Sequence, residues 1–125
     1  NLPLDRERPA GAQGVVLGRD LGYDDVIHAS TAYIRKHFDR QIALSELAAR
    51  TGCNPFQVIR AFRRMLGITP HSFLIEMRLE RARELLALGQ PAAEVATEVG
   101  FFDQSHLIRH FKRRLGRTPK QMAAG

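Results

Sequence analysis

Sulfur chemistry is nearly absent from this 125-residue chain: beside three methionines there is one cysteine, Cys53. A lone cysteine excludes an internal disulfide, and with no CxxC and no paired Cys/His spacing a structural zinc site is not expected either. His106 and His110 stand four apart, a metal-binding spacing, yet no third ligand accompanies them in sequence. The chain also has no secretory apolar segment and no unbroken apolar run of about 18 residues, the minimum for a bilayer-spanning helix. A soluble chain in a reducing cytoplasm, without a membrane, is the expectation. No phosphate loop, paired carboxylates or nucleophile with a base at workable spacing can be found, so neither an enzyme nor a cofactor is expected.

Acidic residues are scarce in two particular places. The net charge is +6. Residues 1–53 hold seven basic and seven acidic side chains, and residues 71–102 hold three and five. Residues 54–70 carry Arg60, Arg63 and Arg64 with no acid, while residues 103–120 carry six basic side chains against Asp103 alone. The entire positive excess therefore sits in two short segments. Such concentration suits a polyphosphate partner, whose condensed counterions are released on binding.

Those two segments are copies of each other. Ile59 to Pro70 and Ile108 to Pro119, displaced by 49 positions, agree at eight of twelve places, including Arg60/Arg109, Phe62/Phe111, Gly67/Gly116 and Pro70/Pro119. Upstream, Glu46, Ala48 and Gly52 match Glu94, Ala96 and Gly100 at a displacement of 48. The second copy's turn is thus one residue longer.

The periodicity throughout is helical. Ile27, Thr31, Ile34 and Phe38 mark a first helix behind the acidic pair Asp24 and Asp25. A second runs from Leu44 towards Gly52, and a third from Asn54 to Leu66, with Asn54 as cap, Pro55 at its first position and Gly67 as its stop. Thr69 and Pro70 restart the chain into a long helix from His71 to Leu88, with Phe73, Leu74, Met77, Leu79, Ala82, Leu85 and Leu86 turned inward. At ~1.5 Å per residue it makes a rod of roughly 27 Å. The second copy repeats the scheme with Asp103 as cap, so about seven helices are expected. The division is 1–22 as linker, 23–68 as first helix-turn-helix subdomain, 69–89 as connecting helix and 90–125 as second subdomain.

A short helix, a glycine-containing turn and a basic helix make a helix-turn-helix, whose second helix can enter a DNA major groove. In the first copy Val58, Ala61, Phe62, Met65 and Leu66 form the expected core stripe, which leaves Phe56, Ile59 and Arg60 as base-reading candidates. In the second, Leu107, Phe111 and Leu115 point inward and leave Gln104, Ser105, His106, Ile108 and Arg109. Central arginines can donate two hydrogen bonds to guanine O6 and N7, and apolar side chains suit thymine methyl groups. Arg63, Arg64, Lys112 and Arg113 are candidates for phosphate, which positions a protein without reading sequence.

From about Val26 to Met122, and most closely in "GFFDQSHLIRHFKRRLGRTP", the chain resembles the DNA-binding domain of AraC/XylS-type transcription regulators. The resemblance implies two three-helix lobes joined by the long helix, with recognition helices in consecutive major-groove segments. It also implies double-stranded DNA and RNA polymerase as partners and an effector-sensing domain outside this chain. On the same resemblance, the family's base-contacting places fall on Phe56, Ile59 and Arg60, and on Gln104, Ser105, His106, Ile108 and Arg109. A start at Asn1 without methionine fits a fragment, expected to be monomeric. Ala43 departs from the family pattern where Ser or Thr usually caps the second helix; Ala92, Met122 and Ala123 depart from it too. The alternative is a helical module binding an acidic protein, although two units are fewer than the three that solenoids generally require.

Overall fold

In the computed structural model of the chain, residues 20–124 are described, and they form seven helices and no strand. These are α1 Asp20–His37, α2 Leu44–Thr51, α3 Pro55–Leu66, α4 Pro70–Ala87, α5 Ala92–Glu98, α6 Gln104–Leu115 and α7 Pro119–Ala124. The all-α class and the helix count are as expected. Of the linker expected over 1–22, residues 1–19 lie outside the described residues, and 20–22 are helical. Tyr23, which follows directly, is buried.

Two compact units divide the helices. Unit 1 holds the residues up to His37 together with Ile42–Phe73; unit 2 holds Phe38–Gln41 together with the residues from Leu74 onward.

In unit 1, α1 packs on α2 and α3, and α2 packs on α3. The stripe that α1 buries is Tyr23, Val26, Ser30 and Ile34. Only Ile34 belongs to the expected set; Ile27, Thr31 and Phe38 are half-buried. The shift is a rotation of the apolar face, and Thr31 escapes it by returning its hydroxyl to the Ile27 carbonyl at 2.7 Å. On α3, Val58, Ala61 and Phe62 are buried as expected, and the Phe62 ring meets Phe73 edge-on at 6.0 Å. Met65 and Leu66, expected in the core, are 40% and 41% exposed. They occupy the last turn, past Phe62, where Gly67 at φ 73° turns the chain instead of prolonging the buried stripe.

Caps set the helix starts. Asn54 accepts from the Gln57 amide at 3.0 Å while Gln57 Oε1 accepts from the Asn54 amide at 2.9 Å, a complete reciprocal pair. At α2 only half of that arrangement exists: Glu46 Oε1 accepts from the Ala43 amide at 2.9 Å, and Ala43 has no side-chain oxygen to return. Since Ala43 already has the extended backbone of a cap, Ala43→Ser is expected to stabilise the chain by about 1 kcal/mol. Urea unfolding measures it; an unchanged midpoint means that the Ala43 carbonyl, 3.0 Å from the Glu46 amide, already satisfies that donor.

Unit 2 is built on Ile75, Leu79, Ala82 and Leu85 of α4, which enclose Val95, Val99, Phe101, Leu107 and Phe111. Leu115, expected inside, is partly buried against this core, as are Phe38 and Met122. Arg78 lies within it at 4% exposure. Its Nε donates to the Phe38 carbonyl at 2.7 Å and its Nη2 to the Arg40 carbonyl at 2.9 Å, and the guanidinium lies 5.7 Å from the Phe101 ring centre. Burial pushes Arg78 below its ordinary pKa range, while the charge of Asp39 pulls it back. Gly100 fits beside this group with φ 103°; a Cβ there would stand 2.9 Å from Arg78 Nε and 3.0 Å from both Asp39 C and the Phe38 carbonyl oxygen.

Candidate nucleic-acid interface

The buried stripe of α3 decides what its other face presents. With Val58, Ala61 and Phe62 inward, Phe56, Arg60, Arg63 and Arg64 are exposed and Ile59 is half-buried. Phe56 is 76% exposed, a large apolar surface left in water. These five side chains, with Tyr23 of α1, border an open hollow of about 560 Å³. The Arg64 guanidinium lies 5.8 Å from the Tyr23 ring centre. No acid lies on α3, so the face is cationic along its length, with an apolar first turn.

The same construction recurs on α6. Leu107 and Phe111 are buried; Gln104, Ser105, Arg109, Lys112 and Arg113 are exposed, and Ile108 is half-buried like its counterpart Ile59. Asp103 Oδ1 accepts from the His106 amide at 2.9 Å and starts the helix. α6 has no acid of its own. Arg114 is drawn aside by Glu76 of α4, with Nη1 3.3 Å from Oε2, which separates it from Arg109, Lys112 and Arg113.

His106 is half-buried, and its ring is engaged sideways. His106 Nε2 is 3.2 Å from His110 Nε2, so one nitrogen carries the shared proton and the other offers its lone pair. Phe101 lies against both, at 5.6 Å from His106 and stacked at 5.5 Å on His110. Among the described residues no group of three or more His, Cys, Asp or Glu is arranged to hold a metal ion. Cys53 is buried, and that burial pushes its thiol pKa up, the opposite of what a reactive thiol needs.

The structure therefore brings Phe56, Ile59, Arg60, Arg63 and Arg64 together on one helix and Gln104, Ser105, Ile108, Arg109, Lys112 and Arg113 on another. Tyr23, at the edge of the expected linker, was missed at the rim of the first site. Its three-to-four spacing with Val26, Ser30 and Ile34 was the available signal.

A family model described as a helix-turn-helix domain matches residues 47–125. The chain is 34% identical over 83 residues to an uncharacterized HTH-type transcriptional regulator, YbfI of Bacillus subtilis, covering 66% of this chain and 30% of that protein. It thus spans about a third of that relative's length. Among solved structures it is similar to a probable AraC family transcriptional regulator of Rhodopseudomonas palustris, with 27% identity, a TM-score of 0.71 and coverage of 77% of this chain and 92% of that one. It is also similar to the DNA-binding domain of AdpA, a global transcriptional factor solved in complex with a target DNA, with 31% identity, a TM-score of 0.69 and coverage of 82% and 90%.

Proposed function

The chain belongs to the AraC-type helix-turn-helix family, and on that premise we propose that it is the sequence-specific double-stranded-DNA-binding part of a bacterial transcription regulator. One observation carries the reading: α3 and α6 both bury an apolar stripe and turn outward a face of arginines with no acid on either helix. Such a face attracts phosphates along its length and offers bidentate donors at its centre.

In this reading residues 23–68 and 90–125 are the two DNA-reading subdomains, with 69–89 between them, and α3 and α6 enter consecutive major-groove segments. Arg60 and Arg109 read bases, with Phe56, Ile59 and Ile108 against thymine methyl groups and Gln104 and Ser105 at the start of α6. His106 acts there partly through its bond to His110. Arg63, Arg64, Lys112 and Arg113 hold phosphates. The chain works as a monomeric unit of a longer cytoplasmic protein, whose sensing domain lies elsewhere and whose activity passes to RNA polymerase; no catalytic step is assigned to it.

Selection of duplexes from random sequence by the purified chain, followed by footprinting, tests this. Two protected major-groove segments about one helical turn, ~34 Å, apart are expected. Selection that enriches no motif removes the proposal. Lys112→Ala should lower affinity for every duplex alike and flatten the slope of log affinity against log salt by about 1. An unaltered slope would take Lys112 off the backbone.

A further inference from the structure

The two helix-turn-helix turns differ by one residue, and the fold identifies which one is extra. In the first turn the Cys53 amide donates to the Ala48 carbonyl at 3.0 Å; in the second, the Phe101 amide donates to the Ala96 carbonyl at 2.8 Å. Phe101 therefore takes the place of Cys53, and both are buried. The caps of the following helices, Asn54 and Asp103, are displaced by 49 rather than 48. Phe102 is the residue inserted between Phe101 and Asp103.

Its side chain serves neither core nor cap. A residue just before an N-cap commonly staples onto the fourth helical position, here Leu107. Leu107 is fully buried, yet Phe102 is 85% exposed, more than any other large apolar side chain among the described residues. It stands one residue before the cap of α6, at the end of the helix that carries Gln104 and Ser105. The first turn of a recognition helix is the part that reaches base edges. Further along the same helix Arg109, Lys112 and Arg113 are exposed, so a polyanion lying along α6 is held by them from its middle to its last turn and meets this phenyl ring at the helix start.

Resting on the DNA-binding reading above, we propose that Phe102 is a DNA contact of the second unit, packing its ring on the apolar surface at the groove's rim, a thymine methyl or the carbons of a deoxyribose. The inserted residue thus gives α6 an apolar anchor beside its N-terminus, the role that Phe56 fills from within the first turn of α3.

The test uses a duplex selected by the unmodified chain and measures affinity across a salt series. Phe102→Ala should weaken binding roughly tenfold, as expected for uncovering part of a phenyl ring, and leave the salt slope unchanged, because no charge is lost. Phe102→Tyr, which keeps the ring, should bind within about twofold of the parent. Unfolding midpoints of both variants should match the parent, since the ring is 85% exposed. Replacing thymine by uracil along the duplex separates the two DNA surfaces: a partner methyl makes the difference between the parent and Phe102→Ala vanish on the uracil duplex, and a deoxyribose leaves that difference intact, the methyl contacts of other side chains cancelling in the comparison. Arg109→Ala runs alongside. If Arg109→Ala weakens binding and Phe102→Ala does not, the anchor is overturned while DNA binding stands; if neither does, α6 is not a reading helix and the anchor falls with it, whereas a parent that selects no duplex fails the underlying reading itself. A Phe102→Ala defect in transcription with unchanged duplex affinity assigns the ring to a protein partner and also overturns the proposal.

Discussion

Replacing Gly100 with alanine is expected to destabilise the chain by roughly 3 to 5 kcal/mol, combining a left-handed backbone that an L side chain resists with overpacking of a filled site. The new Cβ would stand 2.9 Å from Arg78 Nε and 3.0 Å from Asp39 C and the Phe38 carbonyl oxygen. None of these neighbours gives way cheaply. The last two are main chain, and Arg78 is fixed by its own bonds to the Phe38 and Arg40 carbonyls. Arg78→Met approaches the same group from the other side: the stem is kept, and the Phe38 and Arg40 carbonyls lose a charged donor, at a cost of about 1.5 to 3 kcal/mol for each bond. Arg78→Lys should fall between, because an ammonium on a flexible stem cannot reproduce the planar fork. Urea unfolding measures the totals, and amide exchange locates them. Exchange that accelerates equally in Val58–Phe62 and in unit 2, or a Gly100→Ala midpoint equal to the parent's, would contradict the assignment.

The double variant Arg60→Ala/Arg109→Ala is expected to lose most discrimination among duplexes while keeping general attraction to DNA. Each bidentate guanine contact is worth about 1 to 3 kcal/mol, so the pair should collapse preference by roughly 2 to 6 kcal/mol if the sites act independently. Both arginines are exposed, so stability should not move. Selection with each single variant should relax one position of the motif, and the double variant both. Motifs that keep the parent's preferences at reduced affinity would reassign these arginines to phosphate.

Helices were legible in the sequence because their stops and starts are local chemistry. Asn54–Pro55, Gly67 and Thr69–Pro70 each act within a few residues, and the same signals recur one repeat later. The outward faces of α3 and α6 were legible for a related reason: once Val58, Phe62, Leu107 and Phe111 are fixed inside, helical geometry fixes the opposite side. What escaped depended on partners distant in sequence. The apolar face of α1 is rotated onto Tyr23, Val26 and Ser30, a choice made by α2 and α3 and not by α1's own spacing. Arg78 reads as a charged surface residue of a long helix until residues 38–40 bring it two carbonyls. His106 reads as a base-reading candidate at the start of α6 until Phe101 and His110 close on it. Met65 and Leu66 failed because apolarity and period alone do not say where a packed stripe ends.

The grip of Arg78 on the backbone of residues 38–40 bears on how such a protein can be rearranged. Four residues that precede α2 in the chain, Phe38–Gln41, belong to the same compact unit as α5 and α6. A chimaera joined at the start of α4 would import Arg78 and Gly100 but inherit whatever loop its host carries ahead of α2. Grafts that bring residues 38–41 with them preserve the match; those that do not strand a buried cation. Recombination that respects the repeat boundary is therefore not the recombination this architecture tolerates.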